Sequence, residues 1–181
     1  HLATGAFVEK ARALQTIIQC HAPHVPLIIN DRVDVALAVG ADGVHVGQSD
    51  MAVADVRRLM TVGVLGLSVE SMADVLEVEK MRAQGIKIDY LGISPVFGTM
   101  TKSDIAPPLG LKGVAKMRAL TDLPLVGIGG IHVGSRSSLC IIRCGWLTEH
   151  YFLLLRLSFL FHFHLVSFAV HVHACDVSLY S

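Results

Sequence analysis

Two hydrophobic periods alternate along the first two thirds of the chain. In FVEKARALQTIIQC, apolar residues at Phe7, Ala11, Leu14, Ile17 and Ile18 follow helical spacing, and Pro26 then opens the short apolar run PLIIN. The exchange recurs as a helical DRVDVALAV, a strand-like GVHV, a helical AVADVRRLM and the run VLGLSV. SMADVLEVEKMRAQG reads as a helix that Ser71 and Asp74 start with a capping box and Gly85 stops. The strand YLGIS, a helical LKGVAKMRAL and the strand LPLVGIG follow. Five strands are thus predicted near residues 26–30, 43–46, 64–69, 90–94 and 123–128. Strands alternating with helices make βα units on a parallel sheet, so the predicted fold class is α/β.

Periodicity alone does not separate an open doubly wound sheet from a closed barrel. The glycines favour the barrel. A dinucleotide fingerprint wants G-x-G-x-x-G, but GIGGIH puts His132 where its last glycine would fall. Polar or glycine residues instead end nearly every predicted strand: Asn30 and Asp31, Gly47 and Gln48, Ser68, Ser94 to Lys102, Gly129 and Gly130. Contributions from many strand ends to one face are the pattern of a (β/α)8 barrel, here a partial one of about five central units, since a full barrel takes about 200 residues or more.

The pattern changes past residue 133. Residues 146–181 hold three formally charged residues, Glu149, Arg156 and Asp176, with five of the seven Phe and five of the ten His. We therefore divide the chain into a barrel-like part, 1–133, and an atypical apolar tail, 134–181, read as a departure from the natural continuation. The run YFLLLRLSFLFHFHLVSFAV is long enough to span a bilayer, but Arg156, His162 and His164 inside it argue against that. Its HFH and HVH segments lack a partner cluster at metal-ligand spacing.

Fifteen basic residues balance fifteen acidic ones, so no overall field draws the chain to nucleic acid or to an anionic membrane. Cysteines at 20, 140, 144 and 175 fit neither a zinc site nor a compact disulfide framework. No signal-peptide pattern is present and a cytoplasmic setting is expected, although the chain opens on His1 rather than on a natural start.

Four stretches carry candidate chemistry. Asn30 and Asp31 end one predicted strand, and Gln48 and Asp50 follow the next. Neighbouring strand ends lie about 5 Å apart, so two carboxylates there can share Mg2+, a hard cation that leaves its other positions to water and phosphate. Equally, Asp31 and Asp50 can cap the helices that follow them. In SPVFGTMTKSDIAPPLG, Lys102 offers an ammonium and Thr99 and Thr101 offer hydroxyls suited to a phosphate or diphosphate, with Pro95, Pro107 and Pro108 limiting the loop. A solvated turn is the alternative. The glycines of VGIGGIHVGS let backbone N–H groups approach an anion or make a tight turn, and Ser68 is a ligand or a turn residue.

Taken together, PLIINDRVDVALAVGADGVHVGQSDM, GLSVES, DYLGISPVFGTMTKSDIAPPLGL and LPLVGIGGI closely resemble thiamine phosphate synthase, over about residues 7–133. The resemblance implies a (β/α)8 barrel and a Mg2+-dependent transferase that joins hydroxymethylpyrimidine diphosphate to thiazole phosphate, releasing diphosphate. It implies that Asp31 and Asp50 bind Mg2+, and that Asn30, Ser68 and Lys102 contact the pyrimidine diphosphate. Lys102 and Ser68 would serve catalysis. Thr99, Thr101 and Gly130 would hold the thiazole phosphate. Small phosphorylated molecules are then the partners, and self-association stays open.

The chain also departs from the family. The Gln-x-Arg-x-Lys motif that grips the diphosphate is absent, and SRSSLCIIRCGWLTEHYF stands where a helix and a last strand would close around the thiazole phosphate. The expectation is an incomplete version with little activity alone and with the sheet edges left open, unless the apolar tail covers one of them. A thiazole tautomerase-like barrel and a non-catalytic phosphate-binding remnant are the alternatives; the paired aspartates and the Thr-x-Thr-Lys loop favour the synthase.

Overall fold

The computed structural model describes residues 3–98, 107–130 and 153–155. The fold is α/β, and its elements divide into two compact units at the Leu65–Gly66 junction. The first holds α1 (Thr4–His21), β1 (Leu27–Asn30), α2 (Val33–Val39), β2 (Gly43–Val46) and α3 (Val53–Leu59). The junction falls within β3 (Val64–Val69), which leads into α4 (Met72–Ala83), β4 (Tyr90–Ile93), α5 (Gly110–Leu120) and β5 (Leu125–Gly127) of the second. A sixth strand, β6 (Leu153–Leu155), belongs to the first.

In the first unit β1 is the middle strand of a parallel set. Ile28, Ile29 and Asn30 align with Gly43, Val44 and His45 of β2, and Leu27, Ile28 and Ile29 align with Leu153, Leu154 and Leu155 of β6. Strands covered on both faces read as continuous apolar runs, and Leu27, Ile28, Ile29, Val44 and Val46 are all buried. Gly43 is required by close approach: a Cβ there would stand 2.2 Å from the carbonyl oxygen of Val64, whose own N–H donates to Asp42 O at 2.9 Å. Of the apolar residues predicted to line one face of α1, Phe7, Ala11 and Ile18 are buried and Leu14 half-buried, but Ile17 is exposed. The buried stripe recurs every three or four residues, and Ile17 lies about 100° around the helix from Ile18.

In the second unit Gly66 to Val69 of β3 align with Tyr90 to Ile93 of β4, and Leu91 to Ile93 with Leu125 to Gly127 of β5, all parallel. The capping box read in the sequence is formed. Ser71 Oγ accepts from Asp74 N at 3.2 Å, and Asp74 Oδ2 accepts from Ser71 N and Glu70 N at 2.9 Å each. Gly85, at φ +88°, ends α4, donating to Arg82 O at 2.9 Å. Val75 and Val78 of α4, Val114 and Met117 of α5 and Leu91 and Ile93 of β4 are buried. Among the described residues no helix is long and apolar enough to cross a membrane.

The strands match prediction at 43–46 and 64–69, and the others are shorter by one to three residues. Of the two arrangements open from the sequence, an uncovered first strand or one covered by the tail, β6 pairing with β1 is the second.

Candidate active site

The end of the first unit at which β1 and β2 finish carries the two predicted acids. Asn30, the last residue of β1, is half-buried and pairs with His45. Asp31 N–H continues the ladder, donating to His45 O at 2.8 Å, and Arg32 N–H turns back onto Asn30 O at 2.8 Å. Asp31 has φ +65°, in the left-handed region, and is exposed. Beyond β2 the chain folds over itself. Gly47 N–H donates to Asp50 Oδ2 at 2.6 Å and Asp50 N–H to Gly47 O at 3.3 Å.

Neither acid occupies an N-cap position. The N-caps of α2 and α3 are Arg32 and Ala52, and neither helix has a side-chain cap. Asp31 belongs to the strand-to-helix turn, and Asp50 closes a local turn with one carboxylate oxygen. The two carboxylates therefore follow adjacent parallel strands at the same end.

The sequence reading missed how this turn is held. Arg32 Nε donates to Asp34 Oδ1 at 2.8 Å, and its terminal nitrogen reaches Asp34 Oδ2 at 2.5 Å and Thr4 Oγ1 at 2.8 Å. The Arg32 hydrogen bond holds the Asp34 carboxyl below its usual range, and Asp34 in turn raises the Arg32 pKa. The only hint in the sequence was an Arg and an Asp two apart immediately after Asp31.

In the second unit Ser68 is half-buried and sits opposite Gly92 in the β3–β4 register. Past β4 the backbone continues to pair. The Ser94–Pro95 peptide is cis, Val96 N–H donates to Ile128 O at 2.9 Å, and Phe97 N–H donates to Gly129 O at 3.0 Å. From the far side, Leu109 N–H and Gly110 N–H return to Pro95 O and Val96 O at 2.9 and 2.8 Å. Gly130, at φ +65°, is pressed against this pairing: a Cβ would come 2.7 Å from Gly98 O and 2.8 Å from the Phe97 backbone oxygen. The backbone at Pro95 to Phe97 and at Leu109 and Gly110 is thus tied together by these bonds. Thr99, Thr101 and Lys102 themselves lie outside the described residues.

Among the described residues no three or more His, Cys, Asp and Glu gather to hold a metal. A Mg2+ that keeps its waters and phosphate oxygens needs only one or two carboxylates, and Asp31 and Asp50 offer hard oxygens at one end of two adjacent strands. The donor chemistry fits such an ion.

Against known proteins, a model of the family described as thiamine monophosphate synthase matches residues 1–145. The chain belongs to the thiamine monophosphate synthase family. The match runs past residue 133. A thiamine-phosphate synthase from Albidiferax ferrireducens is 52% identical over 136 residues, covering 74% of this chain and 58% of that protein. One from Chloroflexus aurantiacus is 43% identical over 145 residues, covering 80% of this chain and 63% of its own length. The solved structure of a thiamine phosphate pyrophosphorylase from Pyrococcus furiosus superposes with a TM-score of 0.69 at 29% identity, covering 85% of this chain and 68% of the other. The chain thus spans roughly three fifths of these curated synthases.

Proposed function

We propose that this chain carries the substrate-handling centre of a thiamine-phosphate synthase, a transferase that joins hydroxymethylpyrimidine diphosphate to thiazole phosphate. The observation that carries the reading is a pair of aspartates that follow adjacent parallel strands, neither at an N-cap position, in a chain 52% identical over 136 residues to one protein of that name. The fold is proposed to be part of a (β/α)8 barrel, with small phosphorylated molecules as partners and the cytoplasm as its setting.

Asp31 and Asp50 would hold Mg2+, which when bound supplies positive charge to the diphosphate oxygens. Asn30 and Ser68 would orient the pyrimidine diphosphate, and the ammonium of Lys102 would neutralise charge as the bond from the methylene carbon to the diphosphate oxygen breaks. The electron pair leaves with the diphosphate, and the aminopyrimidine ring delocalises the positive charge left on the methylene carbon. Thr99, Thr101 and the backbone at Gly130 would anchor the thiazole phosphate so that the ring nitrogen lone pair forms the new carbon–nitrogen bond. No protein nucleophile is required.

The test is synthesis of thiamine phosphate from both substrates with Mg2+ titrated, in the chain and in Asp31→Ala and Asp50→Ala variants. Each substitution is expected to weaken the response to Mg2+ by about 2 kcal/mol, the scale for losing a charged partner. A Mg2+ response unchanged in both variants removes the metal assignment. The chain alone is expected to make little product, and absence of product also from a version extended with a Gln-x-Arg-x-Lys strand and a closing last strand removes the proposed activity.

A further inference from the structure

We infer that Arg32 is a positioning residue that sets Asp31 for a divalent cation; the inference rests on the reading of Asp31 as a metal ligand. A residue at φ +65° is uncommon outside glycine, and although Asp tolerates it better than most, contacts around Asp31 help to hold it there. Backbone bonds from Asp31 N–H to His45 O and from Arg32 N–H to Asn30 O supply part of that restraint. The next side chain adds to it. The Arg32 guanidinium makes a two-pronged contact with Asp34 in the first turn of α2 and reaches Thr4 at the start of α1, so the residue following Asp31 is tied to two helices. The N-cap of α2 has no side-chain cap bond, and this fork is the side-chain restraint in its place.

Magnitudes separate positioning from simple stabilisation. The Asp34 side chain is 59% exposed, and such a surface ion pair contributes little to stability. Groups that orient a metal ligand without touching the metal, by contrast, change metal affinity by about 10–100-fold. Charge gives a second separation. Arg32 is a cation beside a proposed cation site, so by charge alone its removal would tighten metal binding, whereas loss of positioning weakens it. Lysine keeps the charge but cannot make the planar fork.

The experiment is Mn2+ binding to the full chain, read from the electron paramagnetic resonance signal of free Mn2+, with thermal melting in parallel. Arg32→Ala and Asp34→Ala are each expected to weaken Mn2+ binding by about tenfold, and the double variant no further than either alone. Arg32→Lys should stay as weak as Arg32→Ala, and Asp31→Asn should lose the site. Arg32→Lys, which keeps the charge and loses the fork, keeps the test valid if Arg32→Ala folds poorly. Equal Mn2+ affinity in the wild-type chain and all Arg32 and Asp34 variants overturns the inference alone. So does tighter binding in Arg32→Ala, or full affinity in Arg32→Lys. No Mn2+ uptake by the wild-type chain overturns the metal reading and the inference with it.

Discussion

Asp31 shows how much of a site one residue's backbone can decide. At φ +65° the side-chain types are not equivalent: Gly is at ease, Asn and Asp are tolerated, and β-branched residues are strained. We predict that Asp31→Asn melts close to the wild type while Asp31→Val is less stable by about 1–3 kcal/mol from backbone strain, although both lose the carboxylate. Urea titration of the two variants checks this, and equal midpoints would mean that the turn relaxes. The sequence made Asp31 visible as a candidate through its place after PLIIN. It gave no sign of the left-handed backbone, which is a property of the turn and not of the residue type. Lys102 belongs to the same scale. If it serves the departing diphosphate, Lys102→Ala should lower kcat while leaving the thiazole phosphate KM nearly unchanged, read by steady-state kinetics of a version extended to the family's full length.

Among the elements, the helices and strands were legible, and their ends were legible only in part. Apolar spacing placed α4, and Ser71 with Asp74 named its first turn, because a capping box is local chemistry. The pairing of Val96 and Phe97 with residues 128 and 129 was hidden, since it joins segments about thirty residues apart and Pro95 broke the strand pattern. The Arg32–Asp34 tie between elements makes a pH prediction. Asp34 has a lowered folded-state pKa, so its contribution is present above the ordinary carboxylate pKa of about 4 and is lost as pH falls through the folded value. The stability difference between wild type and Asp34→Asn should therefore be constant from about pH 5 to 7 and fade below about pH 4. Because the pair is exposed, the plateau should be no more than about 1 kcal/mol. A second tie holds α4 to the turn after α5. Arg82 bonds Glu79 and Asp122, and Thr121 Oγ1 donates to Glu79 Oε1 at 2.5 Å. Burial in the same unit raises the Tyr90 pKa, so that unit should lose stability above about pH 10, where an unfolded tyrosine ionises and the buried one does not. In Tyr90→Phe that alkaline loss should shrink.

For the molecule as a whole, composition and alternating periods were enough for the α/β class, because buried parallel strands must be apolar throughout. Bringing the two acids to one end of adjacent strands also followed from the βα order alone. What a pattern of apolar letters does not say is which pairing register the strands take, and here Gly43 carries information out of proportion to its size. Its missing Cβ leaves room for the Val64 carbonyl oxygen, 2.2 Å from where that carbon would be. Moving β2 by one residue along its neighbours would bring Val44 or Asp42 to the same spot, and neither fits. In a sheet covered on both faces, hydrophobicity discriminates weakly between slipped pairings, because each slip exchanges one apolar residue for another. A single steric veto does the discriminating instead. Slipped pairings of β2 against Val64 are excluded by shape, and the strands that Asp31 and Asp50 follow keep the alignment that pairs Asn30 with His45.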